Sequence, residues 1–178
     1  GMEVWAATRR SSSRKYLQQP GINFIELDLG SEEKLKEQLS GYSFDYVVHA
    51  AGVTKCPNSK DFFRTNTDGT KHLANVLIEM KMPIKRFVFV SSLSILGAIR
   101  ERQPYTEITD NDVPQPNTAY GKSKLEAENY LRSLSDFPFV ILRPTGVYGP
   151  REKDYFMMAQ SIKKHVDFAV GYKRQDIT

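Results

Sequence analysis

Only one cysteine, Cys56, occurs among the 178 residues, so no intrachain disulfide can form and a cysteine-based metal site is excluded. The three histidines, His49, His72 and His165, share no ligand spacing, and no metal is expected. No apolar run approaches the roughly 20 residues of a membrane span, and the N-terminus has no signal-peptide core. A cytoplasmic protein without a membrane partner is the reading that follows. Strong charge is missing too: 25 Lys and Arg against 21 Asp and Glu leave a net +4. The basic residues, among them Arg9, Arg10, Arg14, Lys15, Lys163 and Lys164, are scattered rather than gathered into a stripe, so no nucleic-acid partner is expected. What is present is a chain 40% hydrophobic and 26% charged, which suits a globular α/β domain with a real core.

Short β-branched or aromatic runs alternate with longer helical ones. Residues 2–8, 22–29, 44–52, 86–92 and 137–144 read as strands. Residues 31–41 read as a helix opened by a serine N-cap with a capping box and closed at Gly41. From Phe62 to Met80 apolar and small residues recur at helical spacing until Pro83. Residues 98–118 are a polar, proline-bearing loop of the kind that covers a site. A helix from about Ala119 to Leu134 follows, and another over 154–165. Such alternation predicts a parallel sheet covered on both faces. Ligands bind these sheets at the carboxyl ends of the strands. Arg9, Asp28, Ala50–Gly52, Ser91–Ser92 and Arg143–Gly149 all fall at or just past a strand end.

Tyr120 and Lys124 stand one helical turn apart, about 5–6 Å at Cβ. A lysine ammonium beside a phenol favours the phenolate and lowers the tyrosine pKa, which fits general acid–base work on a hydroxyl or carbonyl. Taken alone, the pair reads first as an ordinary helix start, and it is the context that reverses this. Ser92 ends an apolar strand, where its hydroxyl could orient the same substrate oxygen. Gly52 permits close backbone approach, and Asn66 is a polar group on an apolar helix stripe. His49 reads as a packed or hydrogen-bonded core residue, and Ser91 as backbone support.

The segments "LDL" (27–29), "VVHAAG" (47–52), "NTDGT" (66–70), "FVSSLSILG" (89–97), "YGKSK" (120–124) and "LRPTGVYGP" (142–150) together resemble the extended short-chain dehydrogenases/reductases of the NAD(P)-dependent epimerase/dehydratase group. The resemblance implies a Rossmann-like, doubly wound parallel sheet. It makes Tyr120 the catalytic acid/base, Lys124 the group that holds the nicotinamide ribose, and Ser92 the third catalytic member. Asp28 and Leu29 would border the adenine, although Asp28 could equally cap a turn. Ala50, Ala51 and Gly52 would pass beneath the pyrophosphate and ribose, and Pro144 would lie against the nicotinamide. Asn66 would brace the central strands or touch the cofactor. The substrate would be a small molecule, a nucleotide sugar or another alcohol or carbonyl compound. Relatives pair the helices matching 60–80 and 119–134, so a homodimer is expected.

"ATRRSSSR" places Arg9, and no acid, where a ribose 2′-hydroxyl would be read, so NADP is preferred over NAD. The family's glycine-rich loop and the strand before it have no counterpart, which leaves the sheet incomplete. Residues 1–150 then form a partial dinucleotide-binding domain and 151–178 the start of a substrate region. Two half-sheets with unpaired inner edges, and weak dinucleotide binding, are the expected consequences. Gly146 replaces an asparagine found in many nucleotide-sugar members, which leaves room for a reductase of hydroxysteroid-like substrates. A catalytically silent sensor or interaction module, or an inactive piece of an enzyme, is the alternative from another class.

Overall fold

The structure is a computed structural model and describes residues 1–98 and 107–166. The expected loop over 98–118 and tail after 151 lie partly outside these residues. The chain divides into two compact units, 1–143 and 144–178.

In the first unit, strands β1 (Val4–Thr8) and β2 (Ile22–Glu26) form a parallel pair, in register from Val4 with Ile22 to Thr8 with Glu26. Strands β3 (Tyr46–His49), β4 (Arg86–Val90) and β5 (Phe139–Leu142) form a second parallel sheet in that order. No ladder joins β1 to β3. Set against the doubly wound order 3-2-1-4-5-6, the two sheets occupy positions 3-2 and 4-5-6. The two expected half-sheets are present.

Side-chain alternation puts His49, Phe87 and Phe89 on one face, at 3%, 0% and 0% exposure. Three helices cover that face: α1 (Glu32–Leu39), α3 (Gly69–Glu79) and α4 (Ala119–Ser133). Leu35, Leu39, Leu73, Val76, Leu77, Ala127 and Leu131 join Ile25 of β2 in one core, each large side chain contributing about 1.5–3 kcal/mol by burial. The opposite face departs from the expectation of a doubly covered sheet. Val48, Val140 and Leu142 stand 68%, 38% and 51% exposed, with no described helix over them. Apolar strands looked two-sided in sequence, but only one of their faces is packed.

Two local expectations also change. The helix expected from Phe62 to Met80 is α2 (Ser59–Phe62), a π-turn over Phe63–Asp68, and then α3. The wider turn has side-chain causes: Thr70 donates to the Asn66 carbonyl at 2.6 Å, and Thr67 donates to the Ser123 carbonyl at 2.8 Å. The capping box at α1 is half formed. Ser31 accepts from the Lys34 amide at 3.3 Å, but the third helical residue is that lysine, and Glu33 instead takes the Ser31 hydroxyl at 2.7 Å.

In the second unit, α5 (Asp154–Lys163) is capped by Glu152, whose carboxylate accepts the amides of Asp154, Tyr155 and Phe156 at 2.6, 2.7 and 3.3 Å. Carboxylate capping of free N-terminal amides explains why the helix starts there. Among the described residues no helix is long and apolar enough to cross a membrane.

Candidate active site

Helix α4 begins with Thr118, whose hydroxyl accepts the Gly121 amide at 3.0 Å. That cap fixes where Tyr120 and Lys124 emerge. Gly121 then lets the first turn lie on the short 3₁₀ segment Leu93–Ile95, because a Cβ there would run into the Ser94 carbonyl. The glycine of "YGKSK" therefore brings the Tyr120 turn onto the segment that starts at Ser92. Ser92 sits just past β4, accepting the Ser94 amide at 3.2 Å and donating to the Ser94 hydroxyl at 3.1 Å. Tyr120 is half-buried, its ring edge-on to Phe62 with centroids 6.0 Å apart.

Lys124 is only 4% exposed. Its ammonium donates to the Val90 carbonyl at 2.6 Å and lies 4.6 Å from the centre of the Phe89 ring. Burial lowers its pKa to about 8, partly offset by the nearby Glu128 carboxylate, since desolvation disfavours the charged form. Lys124 is thus a cation that titrates within reach of physiological pH.

The loop after β3 approaches the same lysine. A Cβ built on Gly52 would stand 2.9 Å from Asn66 Oδ1 and 3.8 Å from Lys124 Nζ. Asn66, 1% exposed, accepts the Val53 amide at 2.8 Å, donates to the Val53 carbonyl at 3.0 Å, and donates to Ser123 Oγ at 3.1 Å. The π-turn thereby ties the Ala50–Gly52 loop to α4 one residue before Lys124. Gly52, Asn66 and Lys124 form one cluster, and Ala50 and Ala51 just before Gly52 are exposed.

The other candidates have their own settings. Arg9 is exposed in the turn after β1. Asp28 is engaged in a turn: its carboxylate accepts the Gly30 amide at 3.0 Å and pairs with Lys34 at 3.0 Å, and these contacts hold it below the usual carboxylate range. Leu29 rests against Gly69 and its carbonyl accepts from His72 Nδ1 at 2.7 Å. Pro144 opens the second unit. His49 is buried as expected. The Thr70 hydroxyl is committed to Asn66, so His49 Nε2–H donates to Thr70 at 2.9 Å.

The sequence profile of the NAD dependent epimerase/dehydratase family matches residues 1–169. The chain belongs to this family. It is 36% identical over 119 residues to the UDP-glucose 4-epimerase of Vibrio cholerae, a match covering 62% of the chain and 35% of that protein. It is 28% identical over 170 residues to a decarboxylating sterol-4-alpha-carboxylate 3-dehydrogenase of Dictyostelium discoideum, covering 88% of the chain and 50% of that protein. Among solved structures, the fold matches the Bordetella bronchiseptica enzyme WbmG in complex with NAD, at TM-score 0.76 and 24% identity, covering 94% of this chain and 54% of that one. The chain thus spans about half or less of each of these relatives.

One group beside this cluster escaped the sequence reading. Glu128, fully buried, accepts from Ser91 Oγ at 2.6 Å and from Arg143 Nε and Nη2 at 3.1 and 2.7 Å. Ser91 is therefore more than backbone support. The signal was available in the four-residue steps Tyr120, Lys124, Glu128 along one helix face.

Proposed function

We propose that the chain carries the nicotinamide-side machinery of an NAD(P)-dependent epimerase/dehydratase or reductase. The observation behind this reading is Lys124, a buried cation one helical turn from Tyr120 and in the same cluster as Gly52. Gly52 lies so close to Asn66 that a Cβ there would meet Oδ1 at 2.9 Å, and the exposed Ala50 and Ala51 beside it suit a flat ligand. A nicotinamide bound there would supply or accept the hydride. The chain's own residues handle the proton and the orientation. Tyr120 gives or takes a proton at the substrate oxygen. Lys124 holds the ribose hydroxyls through its ammonium, and Ser92 orients the substrate oxygen by exchanging its Ser94 hydroxyl contact for one to substrate.

Arg9 leads us to prefer NADP, since Arg14 is already held by Glu26 at 3.6 Å and by the Phe24 ring. Asp28, Leu29, Ala50, Ala51, Asn66 and Pro144 are assigned to the cofactor side. Residues 151–178 begin the substrate region. A homodimer through α3 and α4, working in the cytoplasm, completes the reading. The split between β1 and β3 makes the isolated chain a weak dinucleotide binder, and calorimetric affinity in the micromolar range or tighter would contradict that.

The substrate is a nucleotide sugar, in line with the UDP-glucose 4-epimerase relative. A second reading, a sterol-like carbonyl or alcohol, is favoured by Gly146. A side chain built there would run into Tyr155, so no larger residue could reach a sugar from that position without displacing the tyrosine. Reduced dinucleotide carrying a labelled hydride at C4, at saturating concentration, separates them. Label on the new carbinol carbon of the UDP-sugar formed from a UDP-keto-sugar supports the first, and label in the 3-hydroxysteroid formed from a 3-ketosteroid the second. No transfer to either contradicts both and leaves the alternatives of a silent module or an inactive piece of an enzyme.

A further inference from the structure

Buried ion pairs are weak devices for stability, because a well-packed apolar pair of the same size often does as well. The pair at the core of this fold therefore calls for another reason. Glu128 lies two turns after Tyr120 and one turn after Lys124 on α4. Its carboxylate reaches two further elements: Ser91, at the end of β4, and Arg143, just past β5. Ser91 is itself fixed between strands, its amide donating to the Leu142 carbonyl at 2.8 Å. One residue earlier, the Val90 carbonyl takes the Lys124 ammonium at 2.6 Å. Consecutive residues of β4 are thus gripped by consecutive turns of α4, and the next residue is Ser92.

Resting on the catalytic reading above, we propose that Glu128 is a positioning residue: its carboxylate, clamped by Ser91 and Arg143, fixes the strand end that carries Ser92 against the helix face that carries Lys124 and Tyr120. It touches neither substrate nor cofactor in this role and acts through Ser91 and Lys124. Among the described residues the surrounding charges are few. Lys124 faces Glu128 on its own helix and His49 from β3. Glu128 faces Arg143 and, at 3.8 Å, Arg132, while Asp110 acts on Arg143. Asp110, Arg132 and Arg143 border a cleft of about 430 Å³ over this pair. His49 is neutral down to about pH 4, so near pH 8 the titrating group is Lys124.

The test uses the whole chain without dinucleotide, labelled with ¹³C at lysine Cε, and follows the Lys124 signal with pH alongside the Ser92 amide. Glu128→Gln keeps the size and a hydrogen bond to Ser91 but removes the negative charge. The expected result is a Lys124 midpoint lower than in the wild type by about half a pH unit or more, with the Ser92 amide displaced. An unchanged midpoint and unchanged amide beside a lowered Tm would show a purely structural pair and overturn the proposal. So would a wild-type Lys124 that titrates like a free lysine. If Glu128→Gln does not fold, Ser91→Ala decides: it deletes one hydroxyl and leaves the ion pair, and both signals should still move. Signals identical to wild type would overturn the proposal. Where labelled hydride transfer is measurable, Glu128→Gln should lower kcat about tenfold with KM little changed. Should Tyr120→Phe leave transfer unaltered, the catalytic reading falls, while the lysine titration still decides what Glu128 does.

Discussion

His49 sets how the fold responds to acid. It is 3% exposed, its ring is stacked on Phe89 and tilted against Phe87, and its Nε2–H donates to Thr70. Burial, with a smaller push from the Lys124 cation, lowers its pKa from 6.5 to about 4. The folded protein therefore resists a proton that the unfolded chain accepts, so this contribution is fully present above pH 6.5 and lost as pH falls toward 4. Each unit of difference is worth about 1.4 kcal/mol, so the full effect is about 3 kcal/mol. Most of it, about 2.5 kcal/mol, should disappear between about pH 7.5 and about pH 4.5. Carboxylates held low, such as Asp28, weaken the fold over a more acidic range, so wild type alone cannot isolate the histidine. His49→Gln can, because it keeps a donor for Thr70 and does not titrate. Urea unfolding of both proteins at the two pH values should show the wild type losing about 2.5 kcal/mol more than the variant. Equal losses would refute a neutral, buried His49.

Gly121→Ala tests the docking of α4. A helical alanine gains about 1 kcal/mol over glycine, but its methyl meets the Ser94 backbone carbonyl, and overpacking against backbone costs about 1–3 kcal/mol. Net destabilisation in thermal unfolding is expected, and a stabilised variant would contradict the close approach. Asn66→Ala removes three side-chain hydrogen bonds around Val53 and Ser123 and should cost about 1–3 kcal/mol, with amide exchange accelerated at Val53. Protection unchanged at Val53 would count against the tie. Lys124 loses its ammonium as pH passes about 8, so dinucleotide affinity measured by fluorescence should fall above that pH in the wild type and stay flat in Lys124→Met.

Much of this could be read from the residues. The five strands were legible because each is an apolar run bounded by turn residues, and α4 because Thr118 precedes a long helix-forming stretch. The cluster at Gly52, Asn66 and Lys124 was legible as separate candidates, but their meeting depended on the π-turn. Periodicity over Phe62–Met80 averages across a single wide turn and hides it. Asp28 was legible both as a strand-end candidate and as a turn cap, whereas its pairing with Lys34 was not, because that depends on how α1 starts. The open face was hidden for a different reason: Val48, Val140 and Leu142 are as apolar as the buried strand residues beside them, so hydrophobicity does not reveal what covers them. The Glu128–Arg143 pair bridges 15 residues and exists because β5 lies beside β4, a fact of topology rather than of local sequence.

The central claim is that Tyr120, Lys124, Ser92 and Gly52 share one nicotinamide-dinucleotide site. Titration of the labelled chain with NADP, carried to millimolar concentration and followed by NMR, tests it most directly. The expected result is that Lys124 Cε and the Gly52 and Ser92 amides move together along one saturable curve. In Lys124→Met that curve should be weakened for the two amides. Movement confined to other residues, or none at all at these positions, would contradict the claim.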